Sequence, residues 1–365
     1  MLPDKIGFAG LGLIGGTLAK TIHRLHPDIT LIAYDIDQSA ISQALAEGVI
    51  QYGYPELCDD FSSCQYIFLC APVNRNKEML PALASYVSDH CILTDVGSVK
   101  SSMHREISSA GLAPYFIGGH PMAGSEKSSY AHATPYLLEN AYYILTPSQE
   151  ISKEKVLEFE EFIRSLGAIP MVLDYETHDY ATAAISHLPH ILASTLVNLV
   201  EQLDNEQELM KTIAAGGFKD ITRIASSSPV MWEQICLANQ QQILKLIDSY
   251  TEALLGIREE IASKSSNEIF HFFQKAKDYR DSISVTNSGS LLKVYELYCD
   301  LVDETGGIAT LATILATNQI SIKNIGILHN REFQDGVLHV EFYDDEALKR
   351  AIQLLRRHHY SVYER

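Results

Sequence analysis

Directly after the apolar run Ile6-Gly7-Phe8-Ala9, the chain reads Gly10-Leu11-Gly12-Leu13-Ile14-Gly15-Gly16. Glycines spaced in this way between a strand and a helix are typical of a dinucleotide-binding turn, because they permit a tight turn, backbone approach to a pyrophosphate and close helix packing. A second apolar run ends at Asp35, twenty residues after Gly15, where a carboxylate can accept from a ribose 2′-hydroxyl. The predicted dinucleotide site consists of Gly10, Gly12, Leu13, Ile14, Gly15 and Asp35.

Composition limits the classes of partner. The chain has 365 residues, of which 46% are hydrophobic, so it can form two or three domains with substantial cores. Its net charge of −18 disfavours nucleic acid and anionic membranes, because both require a cationic protein surface. The six cysteines show no CxxC motif and no Cys/His spacing for a metal, so we interpret them as reduced residues of the core.

The first residues, Met1-Leu2-Pro3-Asp4-Lys5, do not have the pattern of a signal peptide. The sequence also has no uninterrupted run of eighteen apolar residues that would predict a membrane span. We therefore expect a cytoplasmic protein that does not cross a membrane.

Short apolar runs alternate with helical patterns from Lys5 to about Asp174, which predicts a mostly parallel α/β sheet. The predicted strands are Lys5 to Ala9, Leu31 to Tyr34, Tyr66 to Cys70, Cys91 to Thr94, Tyr115 to Ile117, Tyr142 to Leu145 and Pro170 to Leu173. A helix over Ser152 to Leu166 is predicted from its amphipathic pattern and from Gly167 at its end. We assign residues 1–174 to a Rossmann-type nucleotide-binding domain.

Long helical patterns replace the strand signals in residues 175–290, which we interpret as an all-α domain. The predicted helices cover Thr177 to Leu203, Trp232 to Leu255 and Glu259 to Asp281. Pro189 lies inside the first of them and removes a backbone donor, so we expect a kink between Ile185 and Pro189.

The pattern changes again in residues 291–365, where the element order is βαββαβ, with helices predicted over Gly307 to Thr317 and Asp345 to Arg357. This order resembles the ACT domain, the amino-acid-sensing module of biosynthetic enzymes. The stretch Asp303-Glu304-Thr305-Gly306-Gly307-Ile308 matches the ligand loop of that module. The resemblance implies a regulatory site at Asp303, Gly306, Gly307 and Ile308.

Two loops follow neighbouring strands of the predicted sheet and reach the edge where a dinucleotide binds. The first, Asp95 to Lys100, contains Ser98, and the second, Gly118 to Glu126, contains His120. A histidine between glycines and a proline suits a core poorly, so we favour a functional role for His120 over a structural one. Ser98 alone is as consistent with a turn as with function.

The helical region carries Ser186-His187-Leu188-Pro189-His190 and, further on, the segment from Gly216 to Trp232. His187 and His190 share a helix face but lack further ligands for a metal, so we expect one buried, hydrogen-bonded histidine and one that faces a cleft. Arg223 has apolar neighbours that predict partial burial. It is a candidate for binding a carboxylate, with a surface ion pair as the alternative.

The motifs GxGLIGG, DVGSVK, GGHPMAGSE, SHLPH and GGFKDITRIASSSPVMW, in this order, resemble the prephenate dehydrogenase family in its form with a C-terminal ACT domain. The resemblance covers essentially the whole chain. It implies oxidative decarboxylation of prephenate, with hydride transfer to NAD⁺, loss of CO₂ and formation of 4-hydroxyphenylpyruvate. It also implies an intertwined homodimer formed by the helical domain, with tyrosine as the effector.

The same resemblance implies a role for each motif residue. His120 hydrogen-bonds the ring hydroxyl and takes up its proton, and Ser98 orients the imidazole or the hydroxyl. Arg223 binds a substrate carboxylate. The other residues that line this pocket are His190, Lys219, Gly216 and Trp232. Trp232 belongs to the pocket edge of its own or the partner subunit, and a core anchor is its alternative role.

Three other functions stay open on the sequence. Arogenate dehydrogenases run the same chemistry on the amino analogue of prephenate. A β-hydroxyacid or 6-phosphogluconate type dehydrogenase shares the nucleotide-binding and helical domains but predicts neither GGHPMAGSE nor the C-terminal module. A catalytically idle amino-acid sensor is disfavoured by the intact set of Ser98, His120 and Arg223.

Overall fold

The computed structural model describes residues 2–124, 129–283, 295–300, 306–328 and 337–363. The chain divides into two compact units, Met1–Gly289 and Ser290–Arg365. The first unit contains both the nucleotide-binding segment and the helical segment of the sequence analysis. Asp303, predicted as a regulatory residue, lies outside the described residues.

An eight-stranded sheet forms the centre of the first unit. Its strands are β1 (Lys5–Ala9), β2 (Thr30–Tyr34), β3 (Tyr52–Tyr54), β4 (Tyr66–Leu69), β5 (Ile92–Asp95), β6 (Phe116–Pro121), β7 (Tyr142–Pro147) and β8 (Ile169–Val172). The strand order is β3-β2-β1-β4-β5-β6-β7-β8, and every pair is parallel except β6 with β7. This is the order of a Rossmann-type fold, so the prediction is confirmed. The three-residue strand β3 was not predicted.

The sheet is apolar on both faces because helices cover both. On β4, Tyr66 and Phe68 belong to one buried cluster, while Ile67 and Leu69 belong to another. Successive side chains of a strand point to opposite faces, so a continuous apolar run fits a strand covered on both sides. The helices of this part are α1 (Leu13–Leu25), α2 (Gln38–Ala46), α3 (Val73–Leu83), α4 (Ser101–Ser109) and α5 (Lys153–Ser165).

The segment that follows β8 is helical, as predicted. Its helices are α6 (Tyr175–Thr182), α7 (Leu188–Leu203), α8 (Leu209–Ile213), α9 (Gly216–Thr222), α10 (Pro229–Ala238), α11 (Gln240–Ala262) and α12 (Ser266–Ser282). A π-helical turn, Ala183–His187, joins α6 to α7. At the predicted kink between Ile185 and Pro189 the structure has this π-helical turn, which accommodates a following proline that has no backbone N–H to donate.

Two predicted helices are broken in the structure. The helix predicted over Trp232 to Leu255 is interrupted at Asn239, whose side-chain Nδ2 donates to the Asp179 carbonyl oxygen at 2.8 Å. The helix predicted over Glu259 to Asp281 is divided between two helices. The first, α11, ends at Ala262, Lys264 has a φ of +57°, and α12 begins at Ser266. Neither break is marked by a glycine or a proline in the sequence. The break at Asn239 depends on a tertiary contact, which a local pattern does not reveal.

Within the described residues, one continuous helical stretch, Tyr175–Leu203, is long and apolar enough to cross a membrane by length and composition. The sequence contained no uninterrupted apolar run of that length. Polar side chains interrupt the stretch, among them His178, Asp179, His187 and His190.

The second unit has the element order predicted for it. Its elements are β9 (Tyr295–Asp300), α13 (Gly307–Thr317), β10 (Ile322–Leu328), β11 (Val337–Phe342), α14 (Asp345–Arg357) and β12 (Val362–Tyr363). The antiparallel sheet has the order β10-β11-β9-β12. Leu311, Leu315 and Leu355 from the two helices pack on Leu297 and Val340 of the sheet.

Candidate active site

The glycine-rich turn between β1 and α1 leaves room for a pyrophosphate. Gly10 has a φ of +106°, and a Cβ there would lie 2.6 Å from the backbone nitrogen of Ala71. A Cβ at Gly15 would collide with the carbonyl oxygen of Gly10, so the helix can approach the strand only with glycine at this position. At Gly12, by contrast, no described heavy atom lies within 4 Å of the position of a Cβ. The first N–H groups of α1 therefore border open space.

Asp35 lies just past the end of β2 and is tied to the same turn. Its Oδ2 accepts from the Leu11 backbone N–H at 2.5 Å, and its Oδ1 accepts from the Asp37 backbone N–H at 2.7 Å. The carboxylate thus stands beside the glycine-rich turn, where a ribose bound next to the pyrophosphate would extend. The residues present fit a dinucleotide.

A cavity of about 340 Å³ lies at the carboxyl ends of β4 and β5, between their loops and α10. Ser98 lines it together with the neighbouring loop residues, and α10 closes the opposite side. The lining residues are Ala71, Pro72, Val73, Val96, Gly97, Ser98, Val99, Ser228, Val230, Met231, Gln234, Ile235 and Ala238. The edge of the sheet at which ligands bind in this fold is therefore open here.

His120 lies near the end of β6 and is 9% exposed. Its Nδ1 is 2.8 Å from Nε2 of His178, which α6 contributes. The preceding residue, Gly119, accepts at its carbonyl from Lys100 Nζ at 2.7 Å, and the same ammonium lies 2.5 Å from Asp95 Oδ2. Lys100 is fully buried, so this pair joins the Ser98 loop to the end of β6 in an environment without water.

His178 and Asp179 were missed by the sequence analysis. Nδ1 of His178 is 2.9 Å from Asp179 Oδ1, and the carboxylate also accepts from the backbone N–H groups of Lys100 and Ser101 at 2.8 Å each. Burial alone would raise the pKa of Asp179, but the hydrogen bonds from His178, Ser101 and Lys100 lower it overall. The sequence signal that could have identified them is the occurrence of two adjacent polar residues, His178 and Asp179, in a largely apolar helical segment.

Of the two histidines in the Ser186 to His190 stretch, one is buried and hydrogen-bonded, as predicted, and the cleft-facing position of the other stays a prediction. His187 is buried, with its Nδ1 3.2 Å from Asn239 Nδ2, and burial lowers its pKa to about 4. His190 is half-buried, has its Nδ1 3.1 Å from the Ser186 carbonyl oxygen, and stacks on Trp232 with ring centroids 3.8 Å apart. Among the described residues, no group of three or more His, Cys, Asp or Glu side chains is arranged to hold a metal.

The turn Arg223–Ser226 packs against α7, the helix that carries His190. Burial lowers the pKa of His190, the hydrogen bond with the Ser186 carbonyl raises it, and the positive charge of Arg223 lowers it further. The predicted partial burial of Arg223 is wrong for the protomer. Arg223 is exposed, because its neighbour Ile221 is itself 65% exposed and does not cover it. Lys219 is also exposed, and Gly216 begins α9.

A dinucleotide-type turn and a buried histidine at the carboxyl ends of one sheet define a nucleotide-dependent oxidoreductase. Two sequence profiles match the chain: "Prephenate dehydrogenase, nucleotide-binding domain" over residues 18–172 and "Prephenate dehydrogenase, dimerization domain" over residues 174–275. The chain belongs to the prephenate dehydrogenase family, and it is an NAD-dependent oxidoreductase.

Individual relatives agree with this family. The prephenate dehydrogenase of Bacillus subtilis is 39% identical over 356 residues, which cover 97% of this chain and 96% of that protein. The crystal structure of prephenate dehydrogenase from A. aeolicus, in complex with hydroxyphenyl propionate and NAD⁺, has a TM-score of 0.73 at 29% identity, covering 78% of this chain and 99% of that one. Synechocystis arogenate dehydrogenase has a TM-score of 0.70 at 29% identity, covering 77% and 100%.

Proposed function

We propose that this enzyme converts prephenate to 4-hydroxyphenylpyruvate by oxidative decarboxylation. The observation that carries the proposal is His120, a buried and hydrogen-bonded imidazole at the carboxyl ends of the sheet, beside the Ser98 loop. When bound, NAD⁺ accepts hydride from the ring carbon that bears the hydroxyl. Gly10, Gly12, Leu13, Ile14, Gly15 and Asp35 hold it in this proposal.

His120 removes the proton of the ring hydroxyl while the carbonyl forms. Burial first, and then the charges of His178 and Lys100, lower its pKa well below the ordinary value, so the imidazole is a neutral acceptor near pH 7. Ser98, on the neighbouring loop, orients the hydroxyl or the imidazole. A neutral base that faces a hydroxyl in a dry site can take up its proton without competition from water.

The carboxylates of prephenate bind on the α7 side of the site, where Arg223 supplies a planar, charged donor. Two buried donors support a polar ligand there: among the described residues, Nε1 of Trp232 and Nε2 of His187 have no hydrogen-bond partner. Buried polar groups are rarely left unpaired in a complete complex. His190, Lys219 and Gly216 complete the pocket in this proposal.

His120→Asn tests the role of the imidazole. We expect kcat to fall about 100-fold or more, since that is the usual contribution of a general base, with the NAD⁺ dissociation constant nearly unchanged. His104→Asn is the matched control, because His104 is also buried but hydrogen-bonds Thr146 at 3.0 Å. Near-normal turnover of His120→Asn would show that this histidine only shapes its loop.

Arogenate is the second candidate substrate, since the Synechocystis arogenate dehydrogenase shares the fold at 29% identity. An assay of NADH formation that offers prephenate and arogenate in parallel separates the two. We expect the higher kcat/KM with prephenate. A higher value with arogenate would assign this chain to the alternative.

The helical segment forms a homodimer in this proposal. It matches the family's dimerization domain, and its helices expose large apolar side chains in the protomer. Leu237 is 69% exposed, and Phe270 and Phe273 are each 62% exposed. An apolar surface of this extent requires a partner, and a second copy supplies an identical one.

Tyrosine regulates the enzyme through the C-terminal unit, which we infer to be an ACT-type module. Gly306 has a φ of +92° and directly precedes α13, so N–H groups at this helix start can bind a carboxylate. Gly307 and Ile308 form the start of α13, and Asp303 would accept from the ammonium group in this proposal. Gly306→Ala should weaken tyrosine inhibition, because alanine is strained at this φ.

Gly326→Ala is the control for that test, since a Cβ at Gly326 meets no described atom within 4 Å and its φ is not positive. Equal tyrosine inhibition of both variants and the unmodified enzyme would contradict the regulatory site. Competition of tyrosine with prephenate in the catalytic site would then be the simpler explanation.

A further inference from the structure

Three buried side chains form a continuous hydrogen-bonded chain within the first unit. Asp179 Oδ1 lies 2.9 Å from Nδ1 of His178, and Nε2 of His178 lies 2.8 Å from Nδ1 of His120. Asp179 and His178 are 0% and 1% exposed. The chain thus ends at His120, the proposed base, and its first two members lie outside every motif of the sequence analysis.

The donors and acceptors in this chain can be assigned from chemistry. Asp179 already accepts from two backbone N–H groups, Lys100 and Ser101, so it is an ionised carboxylate that only accepts. Nδ1 of His178 must then carry the hydrogen, which leaves Nε2 of neutral His178 as an acceptor. Because one hydrogen must lie between the two imidazole nitrogens, it belongs to Nδ1 of His120.

We propose that Asp179 and His178 are positioning residues that hold His120 as its Nδ1–H tautomer, so that the lone pair of Nε2 faces the substrate hydroxyl. The inference rests on the proposed role of His120 as the base. In the reaction the O–H bond of the hydroxyl breaks and an Nε2–H bond forms. The resulting imidazolium continues to donate from Nδ1 to His178, and the Asp179 carboxylate compensates its charge.

The other groups that face His120 do not supply this function. Lys100 is paired with Asp95, and its cation opposes protonation of His120. His187 directs Nδ1 towards Asn239. Thr182 Oγ1 lies 3.4 Å from Nε2 of His178, and its hydroxyl can donate to that nitrogen in the proposed tautomer. Asp179 is the carboxylate among these groups that favours a positive charge on His120.

Two substitutions of His178 separate positioning from packing. His178→Gln places an amide oxygen near the former Nε2 and can still accept from His120, whereas His178→Leu cannot. We expect His178→Leu to lower kcat about 100-fold with little change in the KM for prephenate, and His178→Gln to recover most of that loss. His104→Leu, which removes a buried histidine outside the chain, should lower stability but not kcat.

Nitrogen-15 NMR of histidine-labelled enzyme gives a readout that does not depend on turnover. The His120 signals are assigned by their loss in His120→Asn. We expect the unmodified enzyme to show a protonated Nδ1 and an unprotonated Nε2 at His120, and His178→Leu to show a mixture of tautomers.

An Nε2–H tautomer in the unmodified enzyme would overturn the proposal, as would a kcat of His178→Leu equal to that of the unmodified enzyme. If His178→Leu does not fold, the NMR of the unmodified enzyme still decides. The failure of this proposal can be distinguished from the failure of the proposed function. If the enzyme were inactive on both prephenate and arogenate, the His120 tautomer could still be measured by NMR.

Discussion

His120 titrates in surroundings that disfavour its charged form. Burial first, and then the charges of His178 and Lys100, lower its pKa well below the ordinary value of about 6.5. The neutral base is present above this pKa and is lost as pH falls through it. We therefore expect the acid limb of kcat/KM for prephenate to have its midpoint below the ordinary histidine pKa of about 6.5. A midpoint at or above about pH 6.5 would show that His120 is not the group that titrates.

Arg223 is proposed to bind a substrate carboxylate through both the charge and the planar shape of its guanidinium. Arg223→Ala should raise the KM for prephenate about tenfold or more, since a charge-assisted pair with a carboxylate is lost. Arg223→Lys should recover little of this, because an ammonium has no planar fork. Arg164→Ala is the control, as Arg164 forms exposed ion pairs with Glu160 and Glu161. An unchanged KM with a lower melting temperature would indicate a structural ion pair at Arg223.

Asp35 should set the choice between NAD⁺ and NADP⁺. Its carboxylate would repel a 2′-phosphate, and the following residues, Ile36-Asp37-Gln38-Ser39, contain no cation that could neutralise one. We expect kcat/KM with NAD⁺ to exceed that with NADP⁺, measured on the unmodified enzyme under identical conditions. Equal efficiency, or higher efficiency with NADP⁺, would be incompatible with this role.

At the scale of elements, the packing of α1 on the glycine-rich turn depends on Gly15. Gly15→Ala should weaken NAD⁺ binding, because the added Cβ collides with the Gly10 carbonyl oxygen and displaces the helix start. Gly256→Ala in α11 is the matched control, where a Cβ meets no described atom within 4 Å and alanine favours the helix. Equal NAD⁺ dissociation constants for the two variants would argue against close packing as the reason for Gly15.

The elements with strong local patterns were predictable from sequence. β1 and α14 have the predicted bounds, because a buried apolar run and an apolar stripe with acidic residues first and basic residues last are local signals. The short β3 was missed, since three residues give too little pattern. The break at Asn239 was missed because its side chain bonds Asp179, which is sixty positions away in the chain.

The candidate site likewise contains residues that a local sequence motif reveals and residues that only a tertiary contact reveals. Ser98, His120 and Arg223 could be proposed as candidates because each lies in a recognisable motif, and their roles stay predictions. The contact between His120 and His178 joins β6 to α6 across 58 positions, so it depends on how the helical segment packs on the sheet. A local sequence pattern does not predict that packing, so the contact between His120 and His178 could not be predicted from the sequence.

At the scale of the whole molecule, the division of the chain into two compact units predicts that they are separable in function. Truncation after Gly289 should retain catalysis and the proposed dimer while abolishing tyrosine inhibition, because the proposed effector site lies in the removed unit. Light scattering gives the mass, and initial rates with and without tyrosine give the inhibition. Unchanged inhibition of the truncated enzyme would place tyrosine in the catalytic site.

The chain has a single tryptophan, and it is the ring that stacks on His190. All indole fluorescence of the protein therefore originates at the candidate site, with no background from other tryptophans. A bound substrate or a protonated His190 would alter the emission of that one fluorophore, whereas an event confined to the second unit would change it only by reaching the site. Trp232 emission thus reports occupancy of the site in the unlabelled enzyme. A tyrosine-induced change in emission that is lost on truncation after Gly289 would report communication between the units, whereas a change that persists would indicate tyrosine bound at the site itself.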